Sequence, residues 1–166
     1  MLTLDPLNAR AFRAAGFIAL FADDWPRVIE TMEKALELNP NLASAHYAIG
    51  NARLMLGDAA GAKVAFAAEP AAIFSQTGLA ICEARLGNRE AAQTAFDALV
   101  AEFGDSSLYQ QTQVLAQFGE IDSAIAMLTR AYEAGDPGVL LAANDPLLDP
   151  LREASAFQQL LLERAT

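Results

Sequence analysis

The feature that most constrains this chain is a recurrence of small and large residues at a nearly fixed step. Pro6 and Pro40, Gly16 and Gly50, and Met32 and Phe66 each stand 34 positions apart. The frame continues in steps of 30 and 32 through Gly57, Gly87 and Gly119, through Ala62, Ala92 and Ala124, and through Phe66, Phe96 and Leu128. Self-similarity at such a period marks a repeat architecture, in which each unit buries its apolar face against its neighbours. A first segment in each unit carries a small residue (Gly16, Gly50, Ala80), and a turn follows, usually with glycine. A second segment carries a small residue (Ala62, Ala92, Ala124) and, four positions on, a large apolar one (Phe66, Phe96, Leu128). Residues four apart share a helix face. Small set against large lets antiparallel helices cross closely, so each unit is predicted to be a helix pair.

Capping and breaking residues place the helices. Asn8 is predicted to cap a first helix to about Phe21, and Asp24, followed by Trp25 and Pro26, a second to about Leu38. Asn41 is expected to cap a third helix, to about Leu56, and a fourth spans about Ala59 to Ala68 before Pro70. A fifth covers about Ala71 to Leu86, Asn88 caps a sixth that stops at Phe103-Gly104, Asp105 caps a seventh, and an eighth runs from about Ile121 to Ala134. The step shortens by four residues around Ala67–Ala71, which predicts irregular stacking there. Asp136-Pro137, Asp145-Pro146 and Asp149-Pro150 then break the period. They predict two short turns and a last helix over about Pro150 to Glu163. Its apolar residues (Leu147, Leu148, Leu151, Phe157, Leu160, Leu161) would cover the end of the stack.

These residues resemble the tetratricopeptide repeat (TPR) family. Gly16, Ala35 and Pro40 carry the match in the first unit, and Tyr47, Gly50, Gly57, Ala62 and Phe66 in the second. Ala80, Gly87, Ala92 and Phe96 carry it in the third, and Gly119, Ala124, Leu128 and Ala131 in the fourth. The first unit has Asp23 where the turn glycine is expected, and the fourth has Thr112 at the small first-helix position. The resemblance implies an all-α, right-handed superhelix of about four helix pairs with a C-terminal capping helix. Repeats would span about 9–42, 43–72, 73–104 and 105–138, and the cap 139–166, in a single domain. The stretch from Ala131 through Asp145-Pro-Leu-Leu-Asp-Pro-Leu-Arg to Phe157-Gln-Gln-Leu-Leu resembles the C-terminal end of TPR regions attached to bacterial adenylate or guanylate cyclases and to winged-helix regulators. Met1–Pro6 matches the tail of a preceding repeat, so the chain is expected to begin mid-array, as a piece of a longer protein.

The function classes narrow by inventory. Net charge is −10, from 11 basic and 21 acidic residues. A phosphate backbone needs a basic face, so no nucleic-acid partner is expected. The apolar fraction of 54% supports a core, and no apolar run reaches the roughly 18–20 residues of a membrane span. Cys82, the one cysteine, sits in apolar surroundings that disfavour a reactive thiolate and is expected to be buried. His46 is the one histidine, too little for a metal site. Glu30, Glu33 and Glu37, with Lys34 among them, read as a solvated face rather than a cation site. No nucleophile–histidine pair, Gly-rich phosphate loop or metal cluster stands out, so no enzyme and no cofactor are expected.

The expected function is a scaffold that binds a peptide or helix of a partner protein on the concave surface. The resemblance places the first helix of each pair there. Arg13, Phe17, Tyr47, Asn51, Leu54, Arg85, Tyr109 and Gln113 would be its exposed residues. Asn51 matches a position where chaperone-binding members hold a peptide carboxylate, or it pairs helices structurally. Tyr47 and Ser44 stand where such members carry positive charge. The alternative is a regulatory or oligomerising segment of a larger signalling protein, a nucleotide cyclase or a transcription regulator. Leu2, Leu4 and Leu7 would support a homodimer through the N-terminal end. A cytoplasmic location is expected.

Overall fold

The computed structural model describes residues 8–164. Among them are nine α-helices and no strand: α1 (Ala9–Leu20), α2 (Trp25–Leu38), α3 (Ala45–Met55), α4 (Ala59–Ala68), α5 (Ala72–Arg85), α6 (Arg89–Phe103), α7 (Leu108–Phe118), α8 (Ile121–Ala134) and α9 (Ser155–Arg164). Three short 3-10 segments, Gly104–Ser107, Pro137–Leu141 and Pro146–Leu151, punctuate the second half. Leu2, Leu4 and Leu7, with the dimer contact assigned to them, lie outside the described residues. No described helix is long and apolar enough to cross a membrane.

Successive helices pair as hairpins, α1 with α2, α3 with α4, α5 with α6 and α7 with α8, and the hairpins stack into an all-α solenoid. The predicted small-against-large crossings carry the stack. A Cβ on Gly16 would lie 2.7 Å from Met32 Cε, and one on Gly50 would lie 2.6 Å from Phe66 Cδ1. Phe66 is fully buried, and its ring also lies against Gly78 of α5. One ring thus spaces three helices, and the second glycine stands outside the repeat frame.

Each hairpin closes with the same turn. The backbone N–H five residues on bonds back to the carbonyl before the turn: Asp24 to Ala19, Asp58 to Arg53, Asn88 to Glu83, Glu120 to Leu115 and, after α8, Asp136 to Ala131. This geometry places the residue after the helix in the left-handed region, where glycine fits without strain. Gly57 and Gly119 have φ of 81° and 79°. Asp23, standing where the first glycine would be, adopts φ 55°. The fold therefore imposes the turn on a residue that adopts it less readily than glycine.

Several local expectations are corrected. Asn41 does not cap α3, which begins at Ala45 behind Ser44 in the left-handed region (φ 67°). Asp105 lies in the 3-10 turn before α7 and pairs with Arg130 at 3.0 Å. Asn88 precedes α6 but makes no side-chain cap and donates to Glu83 instead. α4 packs along α5 as α2 does along α3. The shortened step is taken up within α4, which has 10 residues where α2 has 14. The looser junction lies between α6 and α7, where the turn Gly104–Ser107 intervenes.

The last helix starts at Ser155 rather than Pro150, because Pro146–Leu151 winds as a 3-10 turn. Leu148, Leu151, Phe157 and Leu160 cover the end of the stack as expected, packed with Leu128 and Ala131. Leu147 turns the other way. It packs with Tyr47, Leu54, Ile81 and Val114 in the central core.

Two substitutions test this account by thermal or denaturant unfolding. Asp23→Gly relieves a left-handed non-glycine residue and should stabilise the fold by about 0.5–1 kcal/mol. Gly50→Ala drives a methyl into the Phe66 ring and should destabilise it by about 1–3 kcal/mol. A neutral Gly50→Ala would show that this crossing does not set the helix spacing.

Candidate functional site

The inner wall of the solenoid is formed by α1, α3, α5 and α7, the first helix of each hairpin. Two carboxylates fix its rim. The buried Glu69, just after α4, accepts from the backbone N–H of Ser44 (2.9 Å), Tyr47 (3.1 Å) and Ala71 (3.1 Å). It thereby caps α3 from the far end of the same hairpin. Asp136, just after α8, accepts from the N–H of Tyr109 (3.1 Å) in α7 and of Gly138 (2.8 Å). Helix N-termini leave N–H groups unpaired, and an anion there satisfies them. Both acids precede a proline (Glu69-Pro70, Asp136-Pro137); the sequence reading took Pro70 as a helix stop and Asp136 as a local turn start, and not as caps of helices distant in sequence.

The wall is not open along its length. The turn Pro146–Leu151 packs against α7 on the inner side. Asp145, at its start, is only 5% exposed. Its Oδ2 accepts from the Tyr109 hydroxyl and the Gln113 side-chain amide, both at 2.7 Å, and its Oδ1 from the Leu147 N–H at 2.9 Å. The Tyr47 hydroxyl donates to Gln113 Oε1 at 3.1 Å, and Gln117 donates to the Leu147 carbonyl at 2.7 Å. Arg152 ties the turn from outside through the Ala143 carbonyl at 2.8 Å. Burial raises the Asp145 carboxyl above its ordinary value, opposed by its hydrogen bonds from Tyr109, Gln113 and the Leu147 N–H. Burial also raises the Tyr47 and Tyr109 hydroxyls, with Asp145 adding to both.

This segment decides the fate of the sequence-derived site. Tyr47, Asn51, Leu54, Tyr109 and Gln113 face inward, but they are buried rather than exposed. They are covered because the C-terminal turn places Asp145 and Leu147 against this part of the wall. Asn51 is closed off, with its Oδ1 lacking a hydrogen-bond partner among the described residues. Arg85 stays exposed and grips Gln117 Oε1 through two nitrogens, at 3.1 and 2.6 Å. Arg13 donates to the Ala43 carbonyl at 3.4 Å, and Phe17 is half-buried against Phe21. Cys82 is buried, its thiol pushed up to about 12 by burial first and the neighbouring Glu83 second. Among the described residues no three His, Cys, Asp or Glu side chains gather to hold a metal.

What stays open is a cleft of about 590 Å³ between Phe17 of α1, the N-terminal halves of α3, α5 and α7, and the chain from Ala134 to Leu141. Phe17, Tyr47, Ile73, Phe74, Tyr109 and Leu141 give it an apolar lining; Ser44, Ser106, Gln110, Gln113, Asp105 and Asp136 supply polar groups. The Tyr47 and Phe74 rings pack 5.1 Å apart. Ile73, Phe74, Gln110 and Leu141 were missed by the sequence reading. Leu141 in particular belongs to the segment read as an end cap.

No family model matches the chain. No curated protein matches it either. Solved structures do. YrrB, described as a TPR protein with an unusual peptide-binding site, aligns over 95% of this chain and 94% of its own, with 17% identity and a TM-score of 0.52. PilW, described as a widely conserved type IV pilus biogenesis factor, aligns over 95% of this chain and 84% of its own, with 16% identity and a TM-score of 0.56. At such identity the likeness is one of fold, so the chain has a TPR-like fold.

The buried carboxylate makes a pH prediction. A carboxyl whose folded pKa is raised binds its proton more readily in the folded state. Its contribution to stability is therefore fully present below the unfolded pKa and is lost as pH rises through the folded one. Asn at this position removes that loss. It can be accommodated if the Tyr109 hydroxyl turns to accept and the Gln113 amide flips. The melting temperature of Asp145→Asn relative to the parent should therefore rise between about pH 4 and pH 7. A difference that stays constant across that range would show that Asp145 titrates as an exposed carboxylate.

Proposed function

We propose that the chain is a protein–protein interaction module that takes a peptide segment of a partner in the cleft between α1, α3, α5, α7 and Leu141. The observation that carries this reading is the cleft itself. It is concave, lined by aromatic and aliphatic side chains, edged by amide and hydroxyl groups, and left open beside the part of the wall that Asp145 and Leu147 cover. Apolar concavities with a few placed polar groups are where proteins take ligands. Rigid aromatic anchors such as Phe74, held by its packing on Tyr47, contribute contact area at low entropic cost. The partner-binding residues in this reading are Phe17, Tyr47, Ile73, Phe74, Gln110 and Leu141. Of the residues assigned from the sequence, Asn51 and Leu54 are buried outside the cleft lining, Leu54 in the core with Leu147. Tyr109 and Gln113 contribute faces to the lining while their polar ends hold Asp145. The YrrB description of a peptide-binding site on a similar fold is consistent with this use.

Site-specific photo-crosslinking tests the reading. Benzoylphenylalanine in place of Gln110, at the cleft, should yield a discrete partner adduct in cells of the source organism. The same group in place of Val64, exposed on α4, should not. An adduct formed from position 64 and absent from position 110 would move the interaction surface to the outer face.

A further inference from the structure

The carboxylates around the cleft have a peculiarity that composition alone does not show. Glu69 is 5% exposed and bonds the N–H groups of Ser44 and Tyr47, both in the lining. Asp136 lines the cleft itself. Asp145 lies behind the floor, bonded to Tyr109 and Gln113. Each is held only by neutral N–H or O–H donors. Among the described residues no lysine or arginine forms a salt bridge with any of the three carboxylates, Arg152 meeting Asp145 only at its backbone carbonyl (3.5 Å), and no Lys, Arg or His lines the cleft. Neighbouring cations are engaged elsewhere: Arg130 sits on the exposed Asp105, Arg13 on the Ala43 carbonyl, and Arg152 on Asp149 and the Ala143 carbonyl. Negative charge set in the walls of an apolar cleft is weakly screened, and low-dielectric walls focus its field into the opening.

Resting on the concave-cleft reading, we infer that the cleft selects a peptide carrying a lysine or arginine next to aromatic or aliphatic side chains. The cation faces the Glu69–Asp136 side. Its apolar neighbours pack on Phe17, Phe74 and Leu141. Long basic side chains suit such a site, because their methylene stems lie along apolar surface while the charge reaches a polar group. The half-buried ring of Phe74 adds a second attraction for the same cation. An acidic peptide meets repulsion from the same carboxylates, so the cleft discriminates by charge as well as by shape.

Three fluorescein-labelled heptapeptides provide the test. They share an alternating phenylalanine and leucine frame and carry lysine, glutamine or glutamate at the remaining positions. Fluorescence polarisation on the full chain should show the lysine peptide binding at least about tenfold tighter than the glutamate one, with the preference shrinking as salt rises. Ser106→Arg places a cation at the cleft from an exposed position and should weaken the lysine peptide about tenfold. The melting temperature, read in parallel, should not move. Equal or tighter binding of the glutamine or glutamate peptide, with Ser106→Arg still altering binding, would overturn the cation inference and leave the cleft reading standing. Binding by none of the three, or binding indifferent to both Ser106→Arg and Leu141→Asp, would overturn the cleft reading and this inference with it.

Discussion

What the inner face of this solenoid can do depends on one buried carboxylate. Asp145 satisfies a tyrosine hydroxyl, a glutamine amide and a backbone N–H at once, and so seats the C-terminal turn against α7. A charge out of water is costly unless its hydrogen bonds are complete. Here they are supplied by groups that would themselves be stranded if the turn left. Gln113 would lose its acceptor, Tyr109 its partner, and the apolar seat of Leu147 would open to water. The turn and the wall are mutually necessary, which is why the turn behaves as part of the core.

That seat divides the concave face into two regions of different chemistry. Around Leu54, Ile81 and Val114 the wall is a packed core sealed by Leu147. Towards the N-terminal ends of α3, α5 and α7 it remains a cleft, and the chain after α8 supplies its far lip through Asp136, Pro137, Gly138 and Leu141. Gly138 lies close on the Tyr109 ring, where an added Cβ would fall 2.5 Å from Cγ, so the lip approaches as nearly as backbone can. The acids that shape the cleft are the ones that cap its helices. The same carboxylates satisfy the N–H groups at the starts of α3 and α7 and set negative charge beside apolar surface.

The repeat and its helix pairs were legible because they rest on short-range periodicity. The spacing of Gly50 and Phe66, of Ala62 and Ala92, and of the turn glycines reports directly on which faces pack. Asp23 was recognisable as the odd residue of that series, and the structure bends it into the glycine conformation. Contacts between positions distant in sequence were not legible. Glu69 reaches 25 residues back to Ser44, and Asp145 reaches 36 back to Tyr109. Periodicity finds the inner face of a helix; it does not tell whether a later segment will cover that face. Hence Tyr47, Asn51, Leu54, Tyr109 and Gln113, read from the sequence as exposed, are buried. Leu147 was read with its neighbours as end cap, because the twist of a 3-10 turn that sends it opposite to Leu148 has no signature in composition.

The central claim is that the segment around Asp145 is an integral part of the concave wall. Hydrogen exchange at the Leu147 amide, resolved by NMR, tests it most directly, because that N–H is held by the buried carboxylate alone among the described residues. The account predicts that it exchanges only with global unfolding, at the same free energy as the most protected amides of α7. Exchange near the rate of an unfolded chain, with α7 still protected, would show that the turn leaves the groove freely and that the whole inner face is open to a partner.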